Sequence, residues 1–333
     1  MSHGRSGHSL AYQWFWKSAF VVSLIVAGWL LYYSTQQIDY VWRWYRVPQY
    51  FVAEQVVETR SMLMGEVASI VAKGDKSVVT VADGEERESY TVPTEGLRVS
   101  TGDTIYAGDV LGTETHTKPG ILLQGAWLTL YISAVAIVIG IVLGLVTGLA
   151  RLSENPFFRY WAITYIELIR GSPLLVQIYI WYFVLGTLVN NLLQQKGIPQ
   201  IPTLWFGIAS MAVFTGAYVA EIVRAGIQSI HRGQREAARS LGMNAFQSMR
   251  HIVLPQALRR ILPPLAGQFI SLIKDSSLLG IIAIRELTKA TREVVTVSLQ
   301  PFEIFFVCAL LYLILTFGLS LLTNYLERKI VQS

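Results

Sequence analysis

Residues 119–150 read PGILLQGAWLTLYISAVAIVIGIVLGLVTGLA, 32 positions without one Asp, Glu, Lys, Arg or His. About 20 apolar residues suffice to cross a bilayer as a helix, because hydrocarbon offers no partner to an unpaired backbone group. Working outward, further uncharged runs cover Ser18–Ile38, Gly171–Gln195, Gly197–Ala220 and Ile304–Leu326. A sixth, Ile261–Ile284, is interrupted by Lys274-Asp275. The 333 residues are 53% hydrophobic and 15% charged, against about 25% charged in a soluble domain. These numbers exclude disorder and a soluble globular class. The single cysteine, Cys308, excludes a disulfide scaffold and reads as a buried free thiol.

The expectation is an all-α polytopic membrane protein of six transmembrane helices with a small β-rich insertion. Its divisions are an N-terminal anchor (1–38), an insertion (39–118, β-rich over about 65–115) and a transmembrane domain (119–333). Arg5 and Lys17 precede the first apolar run, but Gln36, Gln37 and Asp39 follow it without a small-x-small cleavage pattern, so an uncleaved anchor is expected. The third span is expected to start near Arg159, placing Glu167 and Arg170 within it or at its end.

Charge sets the orientation. The net charge of +5 suggests nucleic acid, but residues 34–121 carry 8 Lys/Arg against 13 Asp/Glu. The short segment 221–260 instead holds seven arginines with only Glu221 and Glu236. By the positive-inside rule, both termini, loop 151–159 and loop 221–260 fall on the cytoplasmic side, and no nucleic-acid partner is expected. The insertion then faces outward, with strands expected at 67–71 and 78–81 between Gly-Asp and Asp-Gly turns. The run Val99–Gly112, with Gly-Asp pairs six residues apart, resembles the closing hairpin of the biotinyl/lipoyl barrel-sandwich fold. Lys73 and Lys76 lack the Met-Lys-Met pattern of a carrier lysine, so an unmodified module is expected. The cluster Tyr40-Val-Trp42-Arg-Trp44-Tyr-Arg46 suits an interfacial anchor.

Loop 233–262 carries the most specific pattern. It reads Gly233-Gln-Arg-Glu236-Ala237-Ala238-Arg-Ser-Leu241-Gly242, then nine residues, then Ile252-Val-Leu254-Pro255. On a helix, Ala237, Ala238 and Leu241 form one small apolar face, with Arg235 and Arg239 on another. Gly242 is a C-terminal stop, and Pro255 suits the first turn of a second helix. Such a small face suits docking into a groove on another protein. From the residues alone, a helix lying on anionic lipid remains the alternative.

Glu-Ala-Ala, three residues, Gly, nine residues, Ile-x-Leu-Pro resembles the loop of ATP-binding-cassette importer permeases. Two more segments are similar to the polar amino-acid subfamily of histidine/glutamine permease type. Arg170-Gly-Ser-Pro-Leu-Leu-Val-Gln177 matches its Arg-Gly-Thr-Pro-Leu-Leu-Val-Gln motif with Ser for Thr, and Lys274-Asp275-Ser276-Ser277-Leu278 matches its Lys-Asn/Asp-Thr-Ser-Leu motif. The resemblance covers about 121–330 and implies a five-helix permease core in the bacterial inner membrane. It also implies partners: a pair of ATPase subunits, a periplasmic substrate-binding protein and a second permease, identical or homologous. Gly233, Glu236, Ala237, Ala238, Leu241, Gly242, Leu254 and Pro255 would then meet the ATPase. Glu167, Arg170, Gln177, Lys274, Asp275, Ser276 and Ser277 are candidates for the substrate path. No Gly-x-x-x-x-Gly-Lys-Ser/Thr loop occurs in the chain. ATP would therefore be bound by the partner, and no cofactor, metal or catalytic residue is expected here.

A charge inside a span costs at least about 2.5–3.5 kcal/mol on insertion scales, so such charges need partners or a function. Glu167 and Arg170, three apart, are expected to satisfy each other. Arg170 and Lys274 can alternatively snorkel to water, whereas the short Asp275 cannot. Ala136, Gly140, Gly144 and Gly148 form a small-residue stripe for close helix packing. A secondary transporter or a membrane-anchored sensor is the rival class, but no internal repeat supports the former.

Overall fold

The computed structural model describes residues 10–332, so Arg5 and Ser333 lie outside the described residues. The chain divides into two compact units, residues 1–46 and 47–333. In the first, helix α1 (Leu10–Gln36) is apolar and exposed over nearly all of its length, Thr35 near its end being buried, as suits a helix that meets lipid. Beyond it, Trp42 stacks on Trp44 with ring centroids 5.6 Å apart and donates from Nε1 to Thr35 Oγ1 at 3.0 Å.

The second unit corrects the all-α expectation, because strands make up two separate sheets in its first part. Strand β1 (Val52–Arg60) is followed by β2 (Gly65–Lys73), β3 (Lys76–Asp83), β4 (Glu86–Pro93), β5 (Thr104–Ile105) and β6 (Val110–Pro119). β2 to β5 form an antiparallel four-stranded sheet in the order β4-β3-β2-β5, while β1 and β6 pair as a separate antiparallel ribbon from Val52↔Pro119 onward. The expected strands at 67–71 and 78–81 are the centres of β2 and β3. β1, however, begins well before residue 65, because its register comes from β6 and not from its own weak alternation. Val67, Val79, Val81, Val92, Ile105 and Leu111 close a small core, the inward-facing positions of alternating strands.

The helical part follows as α2 (Ile121–Arg151), α3 (Pro156–Arg170), α4 (Leu174–Tyr179), a π-helical turn (Ile180–Gly186) and α5 (Thr187–Gln195). Then come α6 (Thr203–Gln228), α7 (Arg232–Ser240), α8 (Ala245–Ser248), a second π turn (Met249–Val253) and α9 (Leu254–Asp275). A 3₁₀ segment (Ser276–Ile282), α10 (Leu287–Ser298) and α11 (Pro301–Gln332) complete the chain. Six helical stretches among the described residues are long and apolar enough to cross a membrane, matching the expected number. The third starts at Leu174 and not near Arg159. Pro173 ends the preceding helix, and the 15 residues of α3 reach only ~22 Å, short of the ~30 Å hydrocarbon core.

α2 and α6 form the axis of the unit. Gly140, Gly144 and Gly148 face Thr215, Val219 and Val223 respectively, so matching turns run in the same direction. A Cβ on Gly140 would lie 2.9 Å from Thr215 Cγ2 and 3.2 Å from the Ala212 carbonyl oxygen. The expected glycine stripe thus lets two backbones approach where larger residues would hold them apart. Ile132, Ala136, Ile178, Met211, Leu272 and Leu279 bury themselves around this axis. Toward the start of α2, Leu122, Leu287, Ile304 and Cys308 form a second core, and Cys308 is a buried free thiol as expected.

Glu286 is fully buried ahead of α10. It accepts from the backbone N–H groups of Thr288 (2.7 Å) and Lys289 (2.8 Å) and from the Tyr312 hydroxyl (3.1 Å). It therefore caps α10 with a carboxylate, a favourable charge at a helix N-terminus. Burial nonetheless pushes its pKa above the usual carboxylate value.

Candidate functional site

The loop that carries the Glu-Ala-Ala motif is built directly on the end of α6. Arg260 Nη1 donates to the Ser229 carbonyl at 2.6 Å, and Arg235 Nη2 to the Ile227 carbonyl at 3.3 Å. Both cations thus bond carbonyls in the last turn of a helix, where the dipole favours positive charge; the Ile227 carbonyl also accepts from the Ile230 N–H at 3.4 Å. His231 Nδ1 then accepts from the Gly233 N–H at 3.1 Å and starts α7. Gly242 ends it with φ +80°, a conformation that disfavours every residue with a Cβ. The Met243 N–H closes the stop by donating to the Ala238 carbonyl at 3.1 Å.

The second limb starts at a capping box. Asn244 Oδ1 accepts from the Gln247 N–H at 2.8 Å, and Gln247 Oε1 accepts from the Asn244 N–H at 3.0 Å. Pro255 stands in the first turn of α9 as expected. That helix does not emerge from a loop, because Val253 is already right-handed helical and the π turn runs on from α8. A π turn shifts hydrogen-bond partners by one residue and so eases a proline into a continuing helix.

Ala237, Ala238 and Leu241 do not share one outward face. Ala238 is buried, whereas Ala237 is exposed and Leu241 is 80% exposed. The inward methyl lets α7 lie close against its neighbours, while the outward residues remain available to a partner. Glu236 is exposed, and its carboxylate has no hydrogen bond or ion pair to any described residue. Leu254 and Pro255 are also exposed, and Gly233 is half-buried. Beside them a depression of about 380 Å³ is lined by Leu241, Gly242, Met243, Gln247 and His251, with Phe246 70% exposed nearby. Outward apolar side chains next to a depression and among arginines form a surface suited to another protein.

The pathway candidates fall into two groups. At the α3–α4 junction, Gln177 is buried, and its Nε2 donates to the Ile169 carbonyl (2.7 Å) and to Ser172 Oγ (2.9 Å). Gln177 thereby holds the end of α3, and its buried Oε1 has no hydrogen-bond partner among the described residues. At the end of α9, Lys274 is exposed and Asp275 half-buried. Ser276 is buried and donates to the Ile273 carbonyl at 2.7 Å, and Ser277 is half-buried. α4 packs against the 276–282 segment, which brings the two groups to neighbouring elements where a helix ends.

Glu167 and Arg170 do not pair with each other. Arg170 stacks over Tyr218, 5.3 Å from the ring centroid, while Glu167 Oε1 lies 4.0 Å from Arg151 Nη2. Sequence reasoning missed the stronger network beside them, in which Glu221 pairs with both Arg151 and Arg224. The Glu221/Arg224 spacing of three signals half of it. Arg151 lies 70 positions away, and only the packing of α2 on α6 supplies it.

Residues 136–332 match the family described as binding-protein-dependent transport system inner membrane component. The chain belongs to that family. The glutamine transport system permease protein GlnP of Escherichia coli is 38% identical over 209 residues, 63% of this chain and 92% of that protein. The probable glutamine ABC transporter permease protein GlnM of Bacillus subtilis is 37% identical over 211 residues, 63% of this chain and 94% of that one. A crystal structure of an amino acid ABC transporter with histidines superposes with a TM-score of 0.56 at 37% identity, covering 63% of this chain and 94% of that one. The family match leaves out residues 1–135, and with them α1 and both sheets.

Proposed function

We propose that this chain forms, with a second permease of its own or a related kind, the path of an ATP-driven importer for polar amino acids. The observation that carries the proposal is the α7–α8 surface, where Glu236 stands exposed and unpaired on the Glu-Ala-Ala motif beside Leu241 and Gly242. A separate ATPase pair docks there, so ATP is bound and hydrolysed outside this chain. A periplasmic binding protein delivers substrate on the opposite side, where the sheets lie. The N- and C-termini and the α7–α8 surface face the cytoplasm, in keeping with the arginines of 221–260. Asp275 and the neighbouring hydroxyls, with Arg170 and Lys274, offer both signs of charge to a zwitterion. The carboxylate and ammonium of an amino acid require such a pair. The relatives named for glutamine transport support that substrate class.

Gentle solubilisation and capture through a tag placed after Ser333 tests the assignment. A stoichiometric ATPase with a phosphate-binding loop is expected to come with the wild type and to be lost from Glu236→Ala. A chain that purifies alone and still transports would sink the proposal and make α7 a helix lying on lipid.

A further inference from the structure

Where α2 ends, α3 begins and α6 runs out toward α7, a cavity of about 370 Å³ opens between the three helices. Its lining includes Arg151, Arg159 and Arg224, with Ser153 and Gln228, and no carboxylate among the described residues. Two of the guanidiniums are fixed from behind. Glu221 pairs with both Arg151 and Arg224, and Arg224 also donates to the Gln228 side-chain oxygen. Glu167 also lies 4.0 Å from Arg151, so two carboxylates stand against the three guanidiniums and leave one positive charge over. The guanidinium of Arg159 is exposed and has no hydrogen bond or ion pair to any described residue. The site is preorganised, has a surplus of positive charge and keeps one free arm.

We infer that this cavity binds a phosphate group, taken from the headgroup of an anionic phospholipid or from free phosphate. Guanidinium forks match phosphate oxygens in two-pronged geometry, and basic pockets between helices at the cytoplasmic leaflet are sites for anionic headgroups. The first turns of α3 carry Phe157, Phe158, Tyr160 and Trp161, all more than half exposed, around Arg159. Such an aromatic girdle sits at the level of the headgroups, which puts the cavity mouth within reach of lipid phosphate. The leaflet assignment rests on the proposed orientation; the phosphate chemistry does not.

Arg159→Gln is the informative variant, since its side chain makes no hydrogen bond or ion pair to any described residue, whereas Arg151→Gln would break the pair with Glu221. Arg259→Gln, exposed and outside the cavity, removes the same charge as a control. In one arm, phosphatidylglycerol is titrated into the full chain in phosphatidylcholine nanodiscs, and retained lipid is counted by native mass spectrometry. In the other, inorganic phosphate is titrated in phosphatidylcholine alone, with thermal stabilisation as the readout. Arg159→Gln is expected to weaken binding about fivefold in the arm that carries the natural source, and Arg259→Gln to leave it unchanged. Lipid retention assigns the site to the headgroup, and phosphate stabilisation assigns it to the free ion. If neither arm responds to Arg159→Gln, or both variants lose binding equally, the site does not exist.

Discussion

At Gly144 a Cβ would lie 2.5 Å from Val219 Cβ and 2.9 Å from the Gly216 carbonyl oxygen, so alanine cannot enter without parting α2 from α6. Overpacking of this kind costs about 1–3 kcal/mol. The helix propensity gained over glycine returns only about 1 kcal/mol. Gly267, inside α9, has nothing within 4 Å of the same position. Gly144→Ala should therefore lower the melting temperature and Gly267→Ala should hold or raise it; shifts of the same sign would remove the packing role. A second residue-scale prediction concerns Glu286, whose pKa burial raises above 4.5. A carboxyl raised on folding contributes stability that is fully present below its unfolded pKa and is lost as pH rises through the folded value. Wild type should lose stability relative to Glu286→Gln as pH climbs from about 4.5. Thermal melts across that window would show a constant difference if Glu286 did not titrate there.

Among the elements, the short α8 depends most on its cap. It is the first turn of a helical run that continues through the π turn into α9, and the reciprocal Asn244/Gln247 bonds hold that first turn. Asn244→Ala should cost about 1 kcal/mol locally. Hydrogen exchange should find the Gln247 amide less protected while the α2–α6 amides stay unchanged. Faster exchange throughout the helical core would mean that α8 supports the whole fold. The failed Glu167–Arg170 pairing has its cause at this scale too. α3 is a separate helix lying against α2 and α6, so its charges answer to those neighbours and not to each other.

For the whole molecule, the arrangement of charge predicts which parts meet which side of the membrane. Cys308 is buried, so engineered thiols report without its interference. Ser240→Cys on α7 and Thr101→Cys in the loop before β5 are both exposed positions. An impermeant maleimide applied to cells with an opened outer membrane should label the second at once. It should reach the first only after the inner membrane is breached. The reverse pattern would invert the chain and move the α7–α8 surface to the outside.

Uncharged runs were enough to establish a membrane protein with six spanning stretches, since the cost of unpaired backbone in lipid depends on local composition alone. Gly140, Gly144 and Gly148, the stop at Gly242 and the strand centres at 67–71 and 78–81 were legible for the same reason. Each is a short-range pattern with a short-range cause. Tertiary structure alone decided that the strands form two sheets, because β1 takes its register from β6 some 50 residues on. It also decided that Ala238 turns inward while Ala237 and Leu241 stay out, and that Glu221 answers both Arg151 and Arg224. Those outcomes depend on which surfaces meet across long stretches of chain. A buried or half-buried charge takes the partner that packing delivers, not the one nearest in sequence.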